Sequence, residues 1–448
     1  MRYALSRLTR AARAALAALA GLTPACGSGT GQHQRDAAIV AKDIAVPTSD
    51  SVLNPWLAEG EAGATILSWL APLGGTRFAL RFAQYDGARW SAARTVVQDD
   101  SLFIHATEIP SVRAIGQQRL AAVWQRRIAP PSGEPGYEIR VALSSDGGGT
   151  WSPALTPHRS PRPGGSFEFP TAYRTAEGDL GLFWIDPRRQ TVRPKPDTPN
   201  DVDYLGSRNM MWTTVSPAGA LGAEVEVDSI TCECCPMGVG VSGDATVFAY
   251  RDKLVRETMP AESLRYELDV VRDIAVARLE RTDGAPTWRR TGVVHQDGWV
   301  YNGCPNNGPA VDARDGRVAV AWWTGESGDP RVQLAFSRNA GRSFGPPVRV
   351  SKARAEGQAG VALVPGGAVV IWLEGDEVRA RWIGDDGRSG LPTAIGRYGG
   401  RHRLAAPIRT RTGGLLVAWL DPRGRLTSRR LVVGGATPGA KMAIGQSP

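Results

Sequence analysis

Short apolar runs that end in an aromatic residue recur along the chain. Each run spans about five or six residues, which is the length of a buried β-strand and too short for a core helix. Successive aromatic residues lie between 47 and 72 residues apart. They are Trp69, Trp124, Trp184, Tyr250, Trp322, Trp372 and Trp419. The pattern predicts a repeated all-β unit.

Each apolar run belongs to a larger unit of about four predicted strands. A strand and a turn such as "RDG", "PGG" or "TGG" precede most runs, and a second hairpin follows most of them. Four-stranded repeats of this length are typical of a β-propeller, in which each blade packs against the next. The sequence therefore predicts a single propeller domain over residues 46–436 with seven units. Six blades result if the first unit, which lacks a clear opening strand, merges with the last, which lacks a clear closing strand.

One hairpin turn carries a specific pattern. "SSDGGGTWS" (Ser144–Ser152) fits S-x-D-x-G-x-T-W, the Asp box, with a second copy in "SRNAGRSF" (337–344) and a decayed third in "YDGARW" (85–90). The Asp or Asn side chain accepts turn N–H groups, and glycine supplies a positive φ. The aromatic residue is expected to pack the turn onto its own blade. The box therefore indicates a fold rather than a catalyst.

Asp boxes in a β-propeller resemble those of the sialidase superfamily. Four further segments are similar to a bacterial group of exported, exo-alpha-sialidase-like proteins: "TCECCP" (231–236), "AYRDK" (249–253), "VRDIAV" (271–276) and "QDGWVYNGCPNNGPAV" (296–311). The resemblance implies a sialidase-like propeller that binds, and as an enzyme hydrolyses, an acidic or sialylated glycan at the axial face. Its chemistry would be that of a glycoside hydrolase of exo-alpha-sialidase type. The "RIP"-type arginine motif of true sialidases is absent from the sequence.

Charged residues follow several aromatic strand ends. If these strands run in the same sense, their ends share one face of the ring, where arginines suit a carboxylate or sulfate. The alternative is that Arg–Asp pairs tie neighbouring blades at turns. The candidate ligand-binding residues are Arg127, Arg188, Arg423, Trp299 and Asn306. The candidate catalytic residues are Arg251, Asp252, Arg272, Asp273 and Tyr250.

Roles within the catalytic set follow from chemistry. Asp252 or Asp273 suits an acid/base if it is partly buried. Tyr250 or Tyr301 suits a nucleophile activated by a glutamate such as Glu257.

Four cysteines occupy equivalent places in two successive units. Cys232, Cys234 and Cys235 precede the fourth apolar run, Cys304 precedes the fifth, and a proline follows each group. Adjacent blades would bring the two groups close together. One interpretation is disulfide bonding, which suits an exported chain. The other is a thiolate site for a soft metal such as Cu(I) or Zn²⁺. No cofactor is certain.

The N-terminal segment resembles an export signal. A basic stretch, a short apolar core and "TPAC" predict a signal peptide of lipoprotein type over residues 1–25, with Cys26 as the lipidated residue. Residues 26–45 then form a flexible tether and residues 437–448 a C-terminal tail. The expected location is the periplasm or the outer membrane, with a lipid anchor on the membrane, or otherwise the medium.

Charge adds little to these predictions. The formal net charge is +9, and the predicted signal peptide contains four arginines. No Lys/Arg-rich block with interleaved aromatics is present, so nucleic-acid binding is not expected. A monomer is expected.

Three function classes compete, and geometry separates them. A glycoside hydrolase requires a Tyr–Glu pair and an arginine cluster at one axial face. A non-catalytic binding or assembly propeller of the cell envelope requires the arginines without that pair. A metal or redox protein requires the four cysteine sulfurs within a few ångström of one another.

Overall fold

The computed structural model describes residues 38–128, 136–159, 165–195, 198–205, 208–255, 270–400 and 403–434. The strands of the first half are β1 Ala38–Ile44, β2 Leu53–Glu59, β3 Thr65–Gly74, β4 Arg77–Tyr85, β5 Arg94–Asp99, β6 Ser111–Gly116, β7 Arg119–Ile128, β8 Gly136–Ser144, β9 Glu168–Arg174, β10 Leu180–Asp186, β11 Thr191–Lys195, β12 Thr198–Leu205, β13 Asn209–Val215 and β14 Val225–Asp228. Those of the second half are β15 Gly238–Ser242, β16 Ala245–Arg251, β17 Leu254–Val255, β18 Val270–Val271, β19 Ile274–Thr282, β20 Ala285–Val293, β21 Ala310–Arg314, β22 Arg317–Thr324, β23 Arg331–Ser337, β24 Val348–Arg349, β25 Gly357–Val364, β26 Gly367–Glu374, β27 Glu377–Gly384, β28 Thr393–Arg397, β29 Ile408–Arg409, β30 Leu415–Leu420 and β31 Leu426–Gly434. Single turns of 3-10 helix occupy Glu61–Gly63 and Glu326–Gly328.

The described strands form seven antiparallel blades, which confirms the predicted all-β propeller. Blade 1 is β2-β3-β4-β5, blade 2 is β6-β7-β8 and blade 3 is β9-β10-β13-β14. Blade 4 is β15-β16-β19-β20, blade 5 is β21-β22-β23-β24, blade 6 is β25-β26-β27-β28 and blade 7 is β29-β30-β31-β1. The hairpins β11-β12 and β17-β18 are inserted after the second strands of blades 3 and 4. The alternative of six blades is wrong.

The ring is closed by the N-terminal strand. β1 pairs in register with β31 from Ala38 with Gly434 to Ile44 with Ser428, and it forms the outer strand of blade 7. The prediction of a flexible tether is therefore wrong for residues 38–44. The last unit finds its closing strand at the other end of the chain, and the first unit has its own opening strand in β2.

Among the described residues, the core consists of seven apolar clusters, one between each pair of neighbouring blades. The second strand of each blade contributes residues to these clusters, because both of its faces are covered. The aromatic residues at the ends of the apolar runs are buried, with at most 4% of each exposed. The repeated pattern in the sequence thus marks the most buried strand of every blade.

All three Asp boxes follow the third strand of a blade. Asp146 Oδ1 accepts hydrogen bonds from the N–H groups of Gly149 at 2.9 Å and Thr150 at 3.0 Å. Asn339 Oδ1 likewise accepts one from the N–H of Ser343 at 3.0 Å. The turn chemistry predicted from the sequence is therefore confirmed.

The aromatic residue of the first box packs between two blades. Trp151, which follows the third strand of blade 2, lies edge-on to Phe82 of blade 1 with ring centroids 5.9 Å apart. Trp151 also packs against the apolar cluster that contains Leu120 and Ala142 of its own blade, so the predicted packing is one part of its surroundings. Gly148 explains the contact, because a Cβ there would lie 2.3 Å from the Phe82 ring. The box therefore ties two neighbouring blades together.

The alternation of strand direction gives the ring two distinct faces. One face, here called the connection face, contains the links between blades. On this face the innermost strand of each blade begins and the second strand ends, because neighbouring strands are antiparallel. The Asp boxes lie on the opposite face. No helix within the described ranges has the length and hydropathy needed to cross a bilayer.

Candidate functional site

Two links between blades meet on the connection face. Residues 229–237 lead from blade 3 to blade 4, and residues 294–309 lead from blade 4 to blade 5. Their backbones touch at Gly308, where a Cβ would lie 1.6 Å from the carbonyl oxygen of Pro236. Only glycine allows so close an approach. The two cysteine-bearing segments are therefore held against each other.

The contact brings the four cysteines together. Cys232 Sγ lies 3.3 Å from Cys235 Sγ and 3.6 Å from Cys234 Sγ, and all three sulfurs lie within 4.8 Å of one another. Cys304, on the adjoining link, lies close enough to Cys234 to interact with its thiol but stands outside the group of three. The predicted proximity of the two groups is confirmed. All four are free thiols, so disulfide bonding stays a prediction.

The thiols differ in exposure and acidity. Interactions with the thiols of Cys234 and Cys235 hold the pKa of Cys232 well below its ordinary value, and the interaction with Cys234 lowers the pKa of Cys304 to about 7. Burial raises the pKa of Cys235. Cys232 and Cys235 are buried, whereas Cys304 is exposed. The cluster thus has a closed inner side and an open outer side.

Arg251 is fully buried beside this cluster and is used internally. Its Nε donates to the carbonyl of Asn307 at 2.9 Å, and its Nη1 and Nη2 donate to the carbonyls of Arg272 at 2.5 Å and Trp323 at 2.7 Å. The guanidinium also stacks over Trp299, 5.1 Å from the ring centroid. The side chain therefore joins blades 4 and 5 and fixes the loop after Cys304.

Arg272 fixes the other side of the same loop. Its Nε donates to the carbonyl of Tyr301 at 3.0 Å and its Nη2 to that of Gly303 at 3.1 Å. Its Nη1 is buried and has no hydrogen-bond partner. The positive charge of Arg272 stabilises the thiolates of Cys232 and Cys304. Both candidate catalytic arginines thus support the cysteine cluster.

The remaining candidate catalytic residues form a buried network. The Tyr250 hydroxyl donates to Asp228, and Arg290 contacts both Asp228 and Asp252. Burial raises the pKa of Asp252 and, well above its ordinary value, that of Tyr250. Tyr250 is 0% exposed, so its hydroxyl cannot reach a saccharide. The structure thus contradicts the nucleophile role for Tyr250.

Other candidate residues from the sequence lie in or beside the loop around Cys304. Trp299 is buried and therefore does not face a ligand in solvent. Its backbone N–H donates a hydrogen bond to Asp273 Oδ1 at 3.4 Å. Burial, with the nearby charge of Asp297, raises the pKa of Asp273. Tyr301 is 42% exposed and stacks on Trp299 with centroids 5.1 Å apart. Asn306 is exposed with φ 52° and stands next to the cluster.

The candidate ligand-binding arginines do not converge on the axis. Arg188 binds Asp186 at 2.8 Å and Glu224, next to the outer strand of blade 3, at 2.9 Å. The side chain of Arg423 is exposed. Its backbone N–H donates to Asp421 Oδ1, and this hydrogen bond closes the turn. Arg127 is exposed. The Asp-Pro-Arg segments open turns, but their ion pairs lie within one blade and do not tie neighbouring blades together.

A different pair of arginines lines the axial pocket of the connection face. Arg113, on the innermost strand of blade 2, and Arg403, in the link from blade 6 to blade 7, line a pocket of about 40 Å³ with Trp56 and Glu108. Burial lowers the pKa of both arginines to about 10, so both are charged at neutral pH. Neither forms an ion pair within the described residues. No sequence motif marks them.

A second cavity lies along the ring axis, beyond Arg113 and toward the face that carries the Asp boxes. The cavity has a volume of about 260 Å³ and is lined by the innermost strands of all seven blades. Arg409 is paired with Asp312 and Glu59, and Arg174 is paired with Glu61. Most charge in this part of the channel is therefore already compensated.

No protein-family model matches the chain, and no curated protein matches it. Solved structures match over most of its length at low identity. One is an ulvan lyase of a new polysaccharide lyase family, bound to a GlcA–Rha3S saccharide. It is 10% identical, and the match covers 88% of this chain and 96% of the lyase chain with a TM-score of 0.50. A mutant of NanB sialidase from Streptococcus pneumoniae is 9% identical over 89% of this chain and 94% of its own, with a TM-score of 0.43. A leech intramolecular trans-sialidase is 10% identical, with coverages of 83% and 82% and a TM-score of 0.43. At these identities the similarity concerns the fold alone, which is the seven-bladed β-propeller described above.

Glu108 gives the pocket a pH-dependent group. Burial raises its pKa from 4.5 to about 8, with a further contribution from the charge of Glu168. Its Oε2 accepts hydrogen bonds from the Gln125 side chain and from the N–H of Phe169 at 3.0 Å. The protonated form is therefore the one that the folded protein favours at neutral pH.

Glu108→Gln is expected to remove part of the pH dependence of stability. Because the folded pKa is above the unfolded value, the free energy of unfolding falls as pH rises from about 4.5 through about 8. Glutamine keeps the shape and an acceptor oxygen without a charge. The free energy of unfolding of the variant, relative to that of wild type, should therefore increase by on the order of 3 kcal/mol from pH 5 to pH 8. Urea unfolding at each pH measures it. Parallel pH profiles of the two proteins would contradict the assignment.

Two predicted residues lie outside the described residues. They are Cys26, whose lipidation stays a prediction, and Glu257, the suggested partner of a tyrosine nucleophile. The predicted signal peptide and the C-terminal tail also lie outside.

Proposed function

We propose that the protein binds an acidic saccharide, one with a carboxylate or sulfate group, at the axial pocket of the connection face. The proposal is carried by Arg113 and Arg403, which line this pocket without an acidic partner in the described part of the chain. Nε of Arg113 is buried and has no hydrogen-bond partner. A desolvated guanidinium favours an anionic ligand, because a forked pair of charged hydrogen bonds offsets the loss of water.

The surroundings of the arginines suit a sugar. Arg403 lies over the ring of Trp56, 5.8 Å from its centroid, and Trp56 is half-buried. A volume of about 40 Å³ accommodates an anionic group rather than a whole ring. The acidic group would therefore enter the pocket while the rest of the saccharide lies on the open side of the face. The glycan-acting neighbours with the same fold are consistent with this arrangement.

The proposed activity is binding without hydrolysis. A glycosidase nucleophile must reach the anomeric carbon of its substrate. Tyr250 is buried against Asp228, and the guanidinium of Arg251 is occupied by three backbone carbonyls. Tyr301, the other candidate nucleophile, is 42% exposed but does not line the axial pocket of the connection face. These observations favour a non-catalytic binding propeller over a sialidase.

Arg403→Gln is expected to weaken binding of an acidic saccharide at least tenfold, because a charged hydrogen bond contributes about 1.5–3 kcal/mol. The measurement is titration calorimetry of the full chain with sialyllactose, a glucuronate oligosaccharide and a sulfated oligosaccharide, and with lactose as the neutral comparison. Arg77→Gln, at an exposed position of β4, is the matched control.

Equal affinities for lactose and the acidic sugars, or an unchanged affinity in Arg403→Gln, would overturn the proposal. Release of sialic acid from sialyllactose by the wild-type chain would overturn the absence of hydrolysis.

A further inference from the structure

We infer that Cys232, Cys234, Cys235 and Cys304 form a thiolate site for one soft d10 metal ion, Cu(I) or Zn²⁺. Sulfurs bound to a common ion at about 2.3 Å lie about 3.8 Å apart in a tetrahedral site. Sγ of Cys232 lies 3.6 Å from that of Cys234 and 3.3 Å from that of Cys235. Small side-chain adjustments would thus place three sulfurs around an ion. Cys304, on the adjoining link, lies outside this group of three and supplies the fourth sulfur once its exposed side chain turns toward the group.

Buried positive charge beside the sulfurs is an independent observation. Arg251 and Arg272 are 1% and 6% exposed and form no ion pair in the described part of the chain. Nη1 of Arg272 is buried without a hydrogen-bond partner. Four thiolates around Zn²⁺, or three around Cu(I), leave a net charge of about −2. Two buried guanidinium groups balance that charge, which is otherwise costly to bury.

The ligand set contains only sulfur. Glu233 stands between the first two cysteines, but its carboxylate binds Lys253 Nζ at 2.5 Å. His295, the histidine of the second link, interacts with Asp297 at 3.9 Å rather than with the cluster. Thiolate ligands select Cu(I) and Zn²⁺ over hard ions such as Mg²⁺ and Ca²⁺.

The site is held in place before any ion arrives. Arg251 and Arg272 hold the carbonyls on both sides of Cys304, and Gly308 fixes the distance between the two links. The N–H of Cys232 donates to the carbonyl of Arg251 at 3.3 Å, so the first cysteine is anchored to the same residue. Exposed Cys304 and half-buried Cys234 give an ion access from solvent. Such preorganisation lowers the cost of ordering ligands on binding.

The test is metal binding by the full chain, purified under reducing, anaerobic conditions. Samples are incubated with Cu(I) or with Zn²⁺, desalted, and analysed for metal by mass spectrometry and for free thiols after denaturation. We expect about one ion per chain for at least one metal, with four thiols protected from alkylation in the folded, loaded protein. A chelator competition then gives the affinity.

Cys304→Ser tests the fourth ligand with little risk to folding, because that side chain is exposed. We expect its affinity for the ion to fall at least tenfold and that of Cys232→Ser to fall further, as for a lost ligand. Cys26→Ser removes a cysteine outside the cluster and should bind as wild type. Circular dichroism and thermal unfolding confirm that each variant is folded.

Three outcomes would overturn the inference: less than about a tenth of an equivalent of either metal, equal binding by Cys304→Ser and wild type, or disulfides in place of thiols in the reduced, anaerobic protein. Saccharide binding measured on the same variants is a separate readout, since none of the four cysteines lines the axial pocket.

Discussion

Ile39→Asp is expected to destabilise the protein by about 4 kcal/mol, as for an unpaired charge forced into a core. Ile39 is buried between β1 and the neighbouring blade, in the cluster that contains Trp419 and Leu431. β1 is also the strand that closes the ring. The substitution therefore weakens the closure as well as one apolar contact. Urea unfolding, followed by tryptophan fluorescence, measures the change.

Val40→Asp is the matched control within the same strand. Val40 is 48% exposed, because alternate residues of a strand point to opposite faces. Its replacement should change the free energy of unfolding by less than about 1 kcal/mol. Similar effects of the two substitutions would mean that β1 is not packed into blade 7.

Arg251→Met is expected to destabilise the protein by about 3–5 kcal/mol. Methionine keeps much of the apolar stem but leaves the three carbonyl oxygens without their donor, and a buried unsatisfied polar group costs about 1–3 kcal/mol. The loop around Cys304 should also lose its position. Thermal and urea unfolding measure the first effect, and the rate of Cys304 alkylation in the folded protein reports the second.

Arg423→Met is the control for this substitution, because Arg423 also follows an aromatic strand end but is exposed. Its free energy of unfolding should stay within about 0.5 kcal/mol of wild type. A fully stable Arg251→Met variant that loses saccharide binding would instead support a direct role of Arg251 at the ligand site, in keeping with its prediction from the sequence as a candidate catalytic residue.

The repeat pattern was sufficient to predict the blades. Trp184 and Trp372 mark second strands because burial on both faces requires an apolar sequence, and that requirement is local. β1 was missed for the opposite reason. β1 has only seven residues and follows a polar stretch, so its sequence alone gives little indication of a strand. It is ordered by pairing with β31, which lies far away along the chain.

The candidate site was predicted in part. The equivalent positions of the two cysteine groups in successive units were enough to bring Cys232 and Cys304 together, since neighbouring blades are adjacent. The role of Arg251 was not predictable, because sequence does not distinguish an arginine that faces a ligand from one that donates to the carbonyls of another blade. Arg113 and Arg403 were missed because only closure of the ring carries them to the axis.

The pairing of Ala38 with Gly434 also sets the order in which the protein can fold. About 400 residues separate the partners, so the blades between them form before the ring can close, and contacts this distant in sequence slow folding. Until β31 is available, β1 has no partner, and blades 1 and 7 each lack a cover on one apolar face. A newly made chain therefore exposes apolar surface until β31 is synthesised. During that interval it is most open to proteases and to aggregation.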